Sequence, residues 1–295
     1  MIDFAAVTPE LLFVNTVNAW LYGSLLAAVA VALTLVFGLG RVVNFAIGSF
    51  YAIGAYIAFE LRPAMGFWIA IVVAALAVTV LGAIVERLAI RPLHGRGEID
   101  TVLATFGIAI FFDGMIQLVW GTSTREADAP IGGAVTLFSQ RIGVFVFVAA
   151  GLAMLTYATV WQVLRTTSLG MMLRGSSQNS SMAELVGINT NRLMTGLFAA
   201  SAGIAALVGG FAGPLYSVRP GMGIDFLLDA FLAVVIGGLG SVRGAIVGAY
   251  IVALTKNISL SFVAGDIATA VSFAIVIAIL LFRPTGIFRE GRAVG

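Results

Sequence analysis

The chain has 295 residues, of which 60% are hydrophobic and only 10% are charged, and its formal net charge is +2. Soluble globular proteins carry about 45–50% apolar and about 25% charged residues. This composition therefore excludes a soluble enzyme, because so few charged side chains cannot cover a water-facing surface. Cysteine is absent, which excludes a disulfide framework, a thiolate catalyst and a cysteine-bound metal.

The apolar residues are collected in long runs. Charged residues are missing from five stretches, namely 11–40, 42–59, 63–85, 142–164 and 193–218. A helix of about 17–25 apolar residues crosses a bilayer, whereas the strands of a membrane β-barrel alternate polar and apolar positions. The pattern predicts an all-α polytopic membrane protein with a single transmembrane domain over residues 1–295.

We predict about eight transmembrane segments, one of them interrupted by glycines. In chain order these segments are 11–37, 44–60, 66–86, 101–121, 142–164, 193–214, 226–256 and 266–283.

The arginines of the connecting loops predict the orientation. The loops 87–100 and 165–192 each carry three arginines, and so does the tail that starts at Arg283. Basic residues in short loops mark the cytoplasmic side of a membrane. The amino-terminal end carries Asp3 and Glu10 without a basic residue. We therefore expect the N-terminus outside the cell and the C-terminus in the cytoplasm.

The stretch 226–256 has to return to the face from which it starts. Three apolar segments separate the loop 165–192 from the basic tail, and three full crossings would put the tail outside. Arg243 lies in the middle of this stretch. We predict a re-entrant half-helix over about 227–237, a break, and a helix from about 243. The glycines that interrupt the stretch are Gly237, Gly238, Gly240 and Gly244.

A weak internal repeat relates the two halves of the chain. Residues 36–40 (Val-Phe-Gly-Leu-Gly) precede a Gly-Ala-Tyr-Ile sequence at 54–57, and residues 235–240 precede the same sequence at 248–251. A single glycine simply lets helices pack closely. Paired glycine-interrupted segments indicate a transport pathway, because lipid cannot satisfy the backbone groups that a broken helix exposes.

The loop 165–192 predicts a short helix that needs a surface to dock on. Its serines and Asn179 are typical N-cap residues, the spacing of Ser181 and Glu184 is that of a capping box, and Gly187 suits a left-handed helix end. A helix of one or two turns is unstable alone in water, and this one carries the apolar residues Met182, Leu185 and Val186. It could dock on loops of its own chain, but we favour the groove of a cytosolic partner.

The sequence contains no catalytic constellation. A phosphate-binding loop needs Gly-Lys followed by Ser or Thr, but the one lysine, Lys256, follows Thr255. The one histidine, His94, excludes a His-Glu-x-x-His metal site and is expected in a solvated loop. No Gly-x-Ser-x-Gly nucleophile motif is present. We predict that the chain is not an enzyme and that it binds no metal.

Six sequence blocks, in the right order, resemble a known family. The chain looks like a membrane subunit of the branched-chain amino acid type of bacterial ABC importers, and the resemblance covers nearly the whole chain. The blocks are 33–38 with 43–46, Glu86-Arg87 with 91–93, 183–189, 213–216, 237–241 and 284–287.

Some positions depart from the family pattern. The family usually has a His and an acidic residue where this chain has Ile47 and Ser49, and a Pro where it has Arg243. Ser180 and Ser181 replace the usual acidic residue of the coupling loop. These departures weaken an assignment of the cargo to Leu, Ile or Val, because relatives of this type also carry amides, urea or aromatic acids.

The resemblance implies an assembly in the bacterial inner membrane. It implies a second homologous permease subunit, two cytosolic ATPase subunits and a soluble solute-binding protein outside the membrane. ATP and Mg would be bound by the ATPases, so this chain needs no cofactor. The loop 165–192 would be the coupling loop, through which ATP binding alternates the access of the pathway. The predicted coupling residues are Ser181, Met182, Ala183, Glu184, Leu185, Gly187 and Ile188.

The predicted translocation pathway lies at the glycine breaks, where helix ends offer free N–H or C=O groups to a zwitterionic solute. Asp113 is included among the pathway residues because a charge inside a membrane span costs about 2.5–3.5 kcal/mol on insertion scales. Such a charge usually faces protein or water. Asp113 would line the path or pair with an arginine of the other permease, and the same two readings hold for Arg243. The predicted pathway residues are Asn44, Gly48, Asp113, Gly237, Gly238, Gly240 and Ser241.

Other readings stay open from the sequence. Asp225 and Asp229, beside Arg219, would contact the binding protein at the outer surface or belong to a solvated loop. A secondary transporter or channel would use the same broken helices without an ATPase. An intramembrane enzyme and a purely structural subunit are disfavoured, the first by the missing nucleophile and base and the second by the two glycine-interrupted segments.

Overall fold

The computed structural model describes residues 9–40, 43–93, 97–137, 140–262, 265–283 and 286–288 of the chain. Asp3, His94 and the Pro-Thr pair at 284–285, which belong to features discussed above, lie outside these residues. The helices of the described part are α1 (Pro9–Gly40), α2 (Ala46–Met65), α3 (Phe67–Val85), α4 (Glu98–Trp120), α5 (Val144–Thr166), α6 (Ser168–Gln178), α7 (Ser180–Leu185), α8 (Thr190–Tyr216), α9 (Met222–Gly237), α10 (Val242–Ser259) and α11 (Gly265–Phe282).

Each predicted span corresponds to a helix, and the interrupted stretch 226–256 corresponds to α9 and α10. Within the described residues, five helices are long and apolar enough to cross a membrane, by length and composition. They are Glu10–Gly40, Phe67–Leu93 (α3 with the turns that follow it), Glu98–Trp120, Val144–Thr166 and Thr190–Tyr216. The chain is thus a mostly helical, polytopic membrane protein.

The connections between the membrane helices have regular structure of their own. Between α4 and α5, strands β1 (Ala134–Leu137) and β2 (Gln140–Gly143) form an antiparallel hairpin. The fold is therefore not strictly all-α. The loop 165–192 is mostly helical, because α5 reaches Thr166 and α6 follows almost at once.

Small residues let α1 and α8 occupy the centre of the bundle. In α1 the residues from Leu25 to Leu33 are all buried, four of them alanines, and the helix packs against α5, α8, α9 and α10. A Cβ atom on Gly209 of α8 would lie 1.9 Å from the Tyr51 carbonyl oxygen of α2. Such contacts let the helix backbones approach closely, which is how helices associate where water does not drive them together.

The outer helices expose large apolar side chains. Leu76 of α3, Leu103 and Leu118 of α4 and Leu281 of α11 are among those most exposed. An apolar surface of this kind suits contact with lipid or with another apolar subunit. The exposed residues fit the membrane environment that the sequence predicts.

The two ends of the bundle are distinguished by the segments that meet there. At one end, Asn15 of α1 donates a hydrogen bond to Ser261, just after α10 (2.6 Å). At the other end, the Phe288 N–H donates to the Gly237 carbonyl (3.0 Å), and Phe288 lines a groove together with Arg174 of α6. Residues 286–288 therefore lie at the end that carries α6 and α7.

Candidate functional site

The predicted short helix of the coupling loop is present as α7. Asn179 is its N-cap, since its side-chain oxygen accepts from the Met182 N–H (3.0 Å). Gly187 follows the helix with φ +88°, and the Ile188 N–H donates to the Ala183 carbonyl (3.0 Å). The left-handed helix end at Gly187 is thus confirmed.

The predicted capping box is wrong. Ser181 lies inside α7, because Asn179 takes the capping position two residues earlier. The Glu184 carboxylate accepts from the Thr190 hydroxyl, at the first residue of α8. Glu184 therefore joins α7 to α8 and does not cap its own helix.

The apolar side of α7 is uncovered. Met182, Leu185 and Val186 are 57%, 81% and 72% exposed, whereas Ala183 is buried. Ser181, Glu184 and Gly187 are exposed, and Ile188 is half-buried. Residues 181–188 therefore form a small projection at one end of the bundle, which we call the knob. Its exposed side is apolar.

The knob is joined to the bundle by short connections. Asn189 caps α8, since its side chain accepts from the Arg192 N–H (2.9 Å). One turn further, the Thr195 hydroxyl donates to the buried carboxylate of Glu86, 2.5 Å away at the end of α3. Direct hydrogen bonds therefore connect α7 to the start of α8, and the start of α8 to the end of α3.

A basic groove lies beside α6. Its volume is ≈ 420 Å³, and it contains Arg165, Arg174 and Arg243. The guanidinium groups of Arg165 and Arg243 lie 5.6 and 6.0 Å from the centre of the Trp161 ring. Within the described residues, no carboxylate lies within ion-pair distance of these three arginines. Arg243 thus belongs to this end of the bundle.

The glycine break between α9 and α10 forms as predicted. Gly238 and Gly240 have φ values of +105° and +92°, and the Ser241 side chain caps α10 by accepting from the Gly244 N–H (3.2 Å). Gly237 packs directly on Gly244, where a Cβ atom would lie 2.1 Å from the Gly244 carbonyl oxygen. The break is thus a tight hairpin between two helices.

The first glycine segment differs from the second. Gly38 and Gly40 belong to the last turn of α1, so the helix ends directly at the predicted glycine segment. The next helix, α2, starts at Ala46. The two segments nevertheless meet, since a Cβ atom on Gly240 would lie 3.9 Å from the Phe37 ring.

Asn44 lies in the connection between α1 and α2 and is only 1% exposed. Its side-chain oxygen accepts from the Ala46 N–H (3.1 Å), while its amide nitrogen has no hydrogen-bond partner among the described residues. One turn into α2, a Cβ atom on Gly48 would lie 2.4 Å from the Gly223 carbonyl of α9. Gly48 thus lies on the side of α2 that meets α9.

Asp113 lies apart from the glycine break. One carboxylate oxygen accepts from the Gly221 N–H just before α9 (3.0 Å), and the other accepts from the Gln117 side chain (2.8 Å). Gly221 and the break are at opposite ends of α9. The structure therefore gives Asp113 a place at the start of this helix.

Asp229 is not at the outer surface, and it is not in a solvated loop. It lies two turns inside α9 and is buried, because this side of α9 faces α1 and α10. The Lys256 ammonium (2.5 Å) and the Tyr22 hydroxyl (2.6 Å) both donate to its Oδ2 atom. The sequence analysis missed this cluster, although a lysine and an aspartate in two neighbouring apolar segments suggest a pair.

A family model described as "Branched-chain amino acid transport system / permease component" matches residues 15–280. The chain belongs to this family. It is a permease component of an ABC importer, as the sequence predicted.

Named relatives support the same assignment. The chain is 31% identical to the high-affinity branched-chain amino acid transport system permease protein LivH of Salmonella typhimurium, over 92% of this chain and 93% of the relative. It is 30% identical to the corresponding protein BraD of Pseudomonas aeruginosa, over 92% and 94%. It is 27% identical to a probable branched-chain amino acid permease, LivH, of Methanocaldococcus jannaschii, over 92% and 90%.

Proposed function

We propose that the chain carries branched-chain or related hydrophobic amino acids across the bacterial inner membrane. It would be one of two permease subunits, served by two cytosolic ATPases and by a solute-binding protein outside. The names of the LivH and BraD relatives support this cargo, because they cover nearly the whole chain. Amide, urea and aromatic acid analogues belong to the same proposal.

The exposed knob of α7 is the observation that carries the proposal. The apolar surface of this short capped helix is left in water, which is unfavourable by about 25 cal/mol for each Å² that could be buried. Docking in the groove of an ATPase would remove this surface from water. The arginines of the neighbouring groove would attract a carboxylate-bearing rim on that partner.

The path of the solute would run along α9 and past the glycine hairpin. Asn44 carries a buried amide group without a partner among the described residues, and such a group costs about 1–3 kcal/mol. A second state of the permease, or a passing solute, would satisfy it. Gly48 packs on α9, Gly237 ends this helix, and Gly238, Gly240 and Ser241 follow it. Asp113 binds the backbone at its start.

The proposed orientation puts α7 in the cytoplasm. The N-terminus would be outside and the C-terminus inside, with α9 and α10 forming the returning hairpin among about eight membrane segments. Motion of the ATPases would pass through α7 to α8, and from α8 to the helices packed on it. ATP and Mg would stay with the ATPases, and this chain would supply no catalytic group.

Uptake by the reconstituted assembly tests the proposal. The permease, its partner permease, the ATPases and the binding protein are placed in vesicles, and accumulation of radiolabelled leucine is measured with ATP or with an ion gradient alone. We expect accumulation with ATP only. Accumulation driven by the gradient without ATP would show a secondary transporter instead.

A further inference from the structure

A cavity of ≈ 270 Å³ opens at the end of the bundle opposite α7, between α1, α2, α8, α9 and α10. This position follows from α8, which starts next to α7 and ends at Tyr216, a residue of the cavity wall. Pockets for drug-sized ligands measure about 300–1,000 Å³. The cavity is slightly smaller than that range, so it suits a small solute.

A cation, the ammonium group of Lys256, faces the cavity. Lys256 lines the cavity and is the only lysine of the chain. Its partner Asp229 lies behind the wall with its side chain only 4% exposed, and among the described residues it is the only hydrogen-bond partner of the ammonium group. An ammonium group has three donors, so two remain for a ligand. A carboxylate is the ligand group that these donors favour.

The mouth of the cavity carries both signs of charge. Arg219 and Asp225 both line it and form an ion pair with a nitrogen–oxygen distance of 2.5 Å. Both side chains are exposed, and an exposed pair is held only weakly. Each partner can therefore exchange its neighbour for a group of a solute, the carboxylate at Arg219 or the ammonium at Asp225.

The walls of the cavity are aromatic. The Tyr51 and Phe226 rings are stacked, with their centres 4.5 Å apart, and the Tyr22 ring meets Phe226 edge-on at 5.7 Å. Rings of this kind offer a rigid apolar surface to an aliphatic side chain. The cavity thus combines a cation, an anion and an apolar wall within one small volume.

We propose that this cavity binds an aliphatic α-amino acid on its way into the permease. The carboxylate would lie at Lys256 and Arg219, the ammonium at Asp225, and the side chain against Tyr51 and Phe226. This inference rests on the proposed function, since it names the site where the imported solute first meets this subunit. Only a zwitterion has both a carboxylate for Lys256 and Arg219 and an ammonium group for Asp225.

The test uses a photoreactive leucine that carries a diazirine, with the purified full transporter and no binding protein. Labelled residues are mapped by mass spectrometry, and we expect them on α2 and α9 around Tyr51 and Phe226. An excess of leucine should compete, whereas 4-methylpentanoate, which lacks the ammonium, and leucinamide, which lacks the carboxylate, should not. Labelling elsewhere, or equal competition by all three, would overturn the proposal.

Two variants separate ligand binding from folding. Lys256→Met combined with Asp229→Leu removes the buried carboxylate together with its cationic partner, and replacing such a pair by apolar residues is often neutral for stability. We expect this variant to assemble but to lose labelling about tenfold, the factor that corresponds to one lost charged contact. Lys256→Arg, which keeps the charge, should retain most of the labelling. Undiminished labelling of the assembled double variant would contradict the site.

The same preparation keeps the two proposals apart. If the wild-type assembly accumulates leucine with ATP but the double variant is labelled normally, the cavity proposal fails and the proposed function stands. If the wild-type assembly shows no ATP-driven accumulation of leucine, the proposed function is wrong.

Discussion

Gly237 and Gly244 face each other across the α9–α10 hairpin, so closely that a Cβ atom on either would lie 2.1 Å from the carbonyl oxygen of the other. Backbone atoms on both sides leave no flexible side chain that could move away. The hairpin therefore depends on the absence of a side chain at both positions, and this requirement can be tested directly.

We expect Gly237→Ala or Gly244→Ala to lower the stability of the assembled permease by about 1–3 kcal/mol or more, the usual cost of overpacking. Thermal unfolding in detergent measures the effect. Gly196→Ala is the matched control, because Gly196 lies in α8 with nothing within 4 Å of an added Cβ atom. A melting temperature of Gly237→Ala equal to that of Gly196→Ala would contradict the packing described for the hairpin.

Gly187→Val should uncouple ATP hydrolysis from uptake. The residue has φ +88° and open space around it, so backbone strain is the only obstacle to a side chain. Left-handed geometry costs about 1–2 kcal/mol for most residues and more for a β-branched one. The measurement is the ratio of leucine transported to ATP hydrolysed.

Gly187→Asn is the control for this change, because asparagine tolerates the left-handed region. It should keep most of the coupling. An equal ratio of leucine transported to ATP hydrolysed in the Val and Asn variants would show that the left-handed helix end at Gly187 is not needed for coupling.

Glu184→Lys should weaken the association of the ATPases. The carboxylate is exposed on the knob, but it also accepts a hydrogen bond from Thr190. Thr190→Val removes this internal bond alone, so it is the control. We expect ATPases to be lost from affinity-purified Glu184→Lys and retained by Thr190→Val. If both variants lose ATPases to the same extent, the loss is explained by the hydrogen bond between Glu184 and Thr190 and not by a contact of Glu184 with the ATPases.

Thr195→Val should destabilise the junction between α3 and α8 by about 1–3 kcal/mol, because the buried Glu86 carboxylate loses a donor. Thr255→Val is the matched control, since its hydroxyl bonds only to the carbonyl of Ile251 in its own helix. Chemical denaturation of the two purified variants compares them. A Thr195 variant no less stable than the Thr255 variant would contradict the role of this bond.

The membrane segments could be predicted because composition alone determines them. Long uncharged runs indicate α1 and α8 independently of the helices that pack on them. The glycines and Ser241 indicate the break before α10. The short helix α7 was also predictable, since its cap Asn179 and the terminal Gly187 act locally.

Other features depend on contacts between distant parts of the chain. Helix α6 has three serines and two glycines among its 11 residues, so no long apolar run indicates it. Asp229 was assigned to the surface because its pairing with Lys256 depends on how the hairpin folds back. The aromatic cavity needs five helices at once, and no local pattern of the sequence describes it.

The most direct test of the central claim, that α7 transmits the work of the ATPases, is leucine uptake by the double variant Met182→Ser, Leu185→Ser in vesicles supplied with ATP. Val135→Ser, which changes an exposed apolar residue of the β-hairpin, is the control. The account predicts that the double variant folds with its partner permease but loses both its ATPases and its uptake, while the control keeps both. Uptake by the double variant at the rate of the control would contradict it.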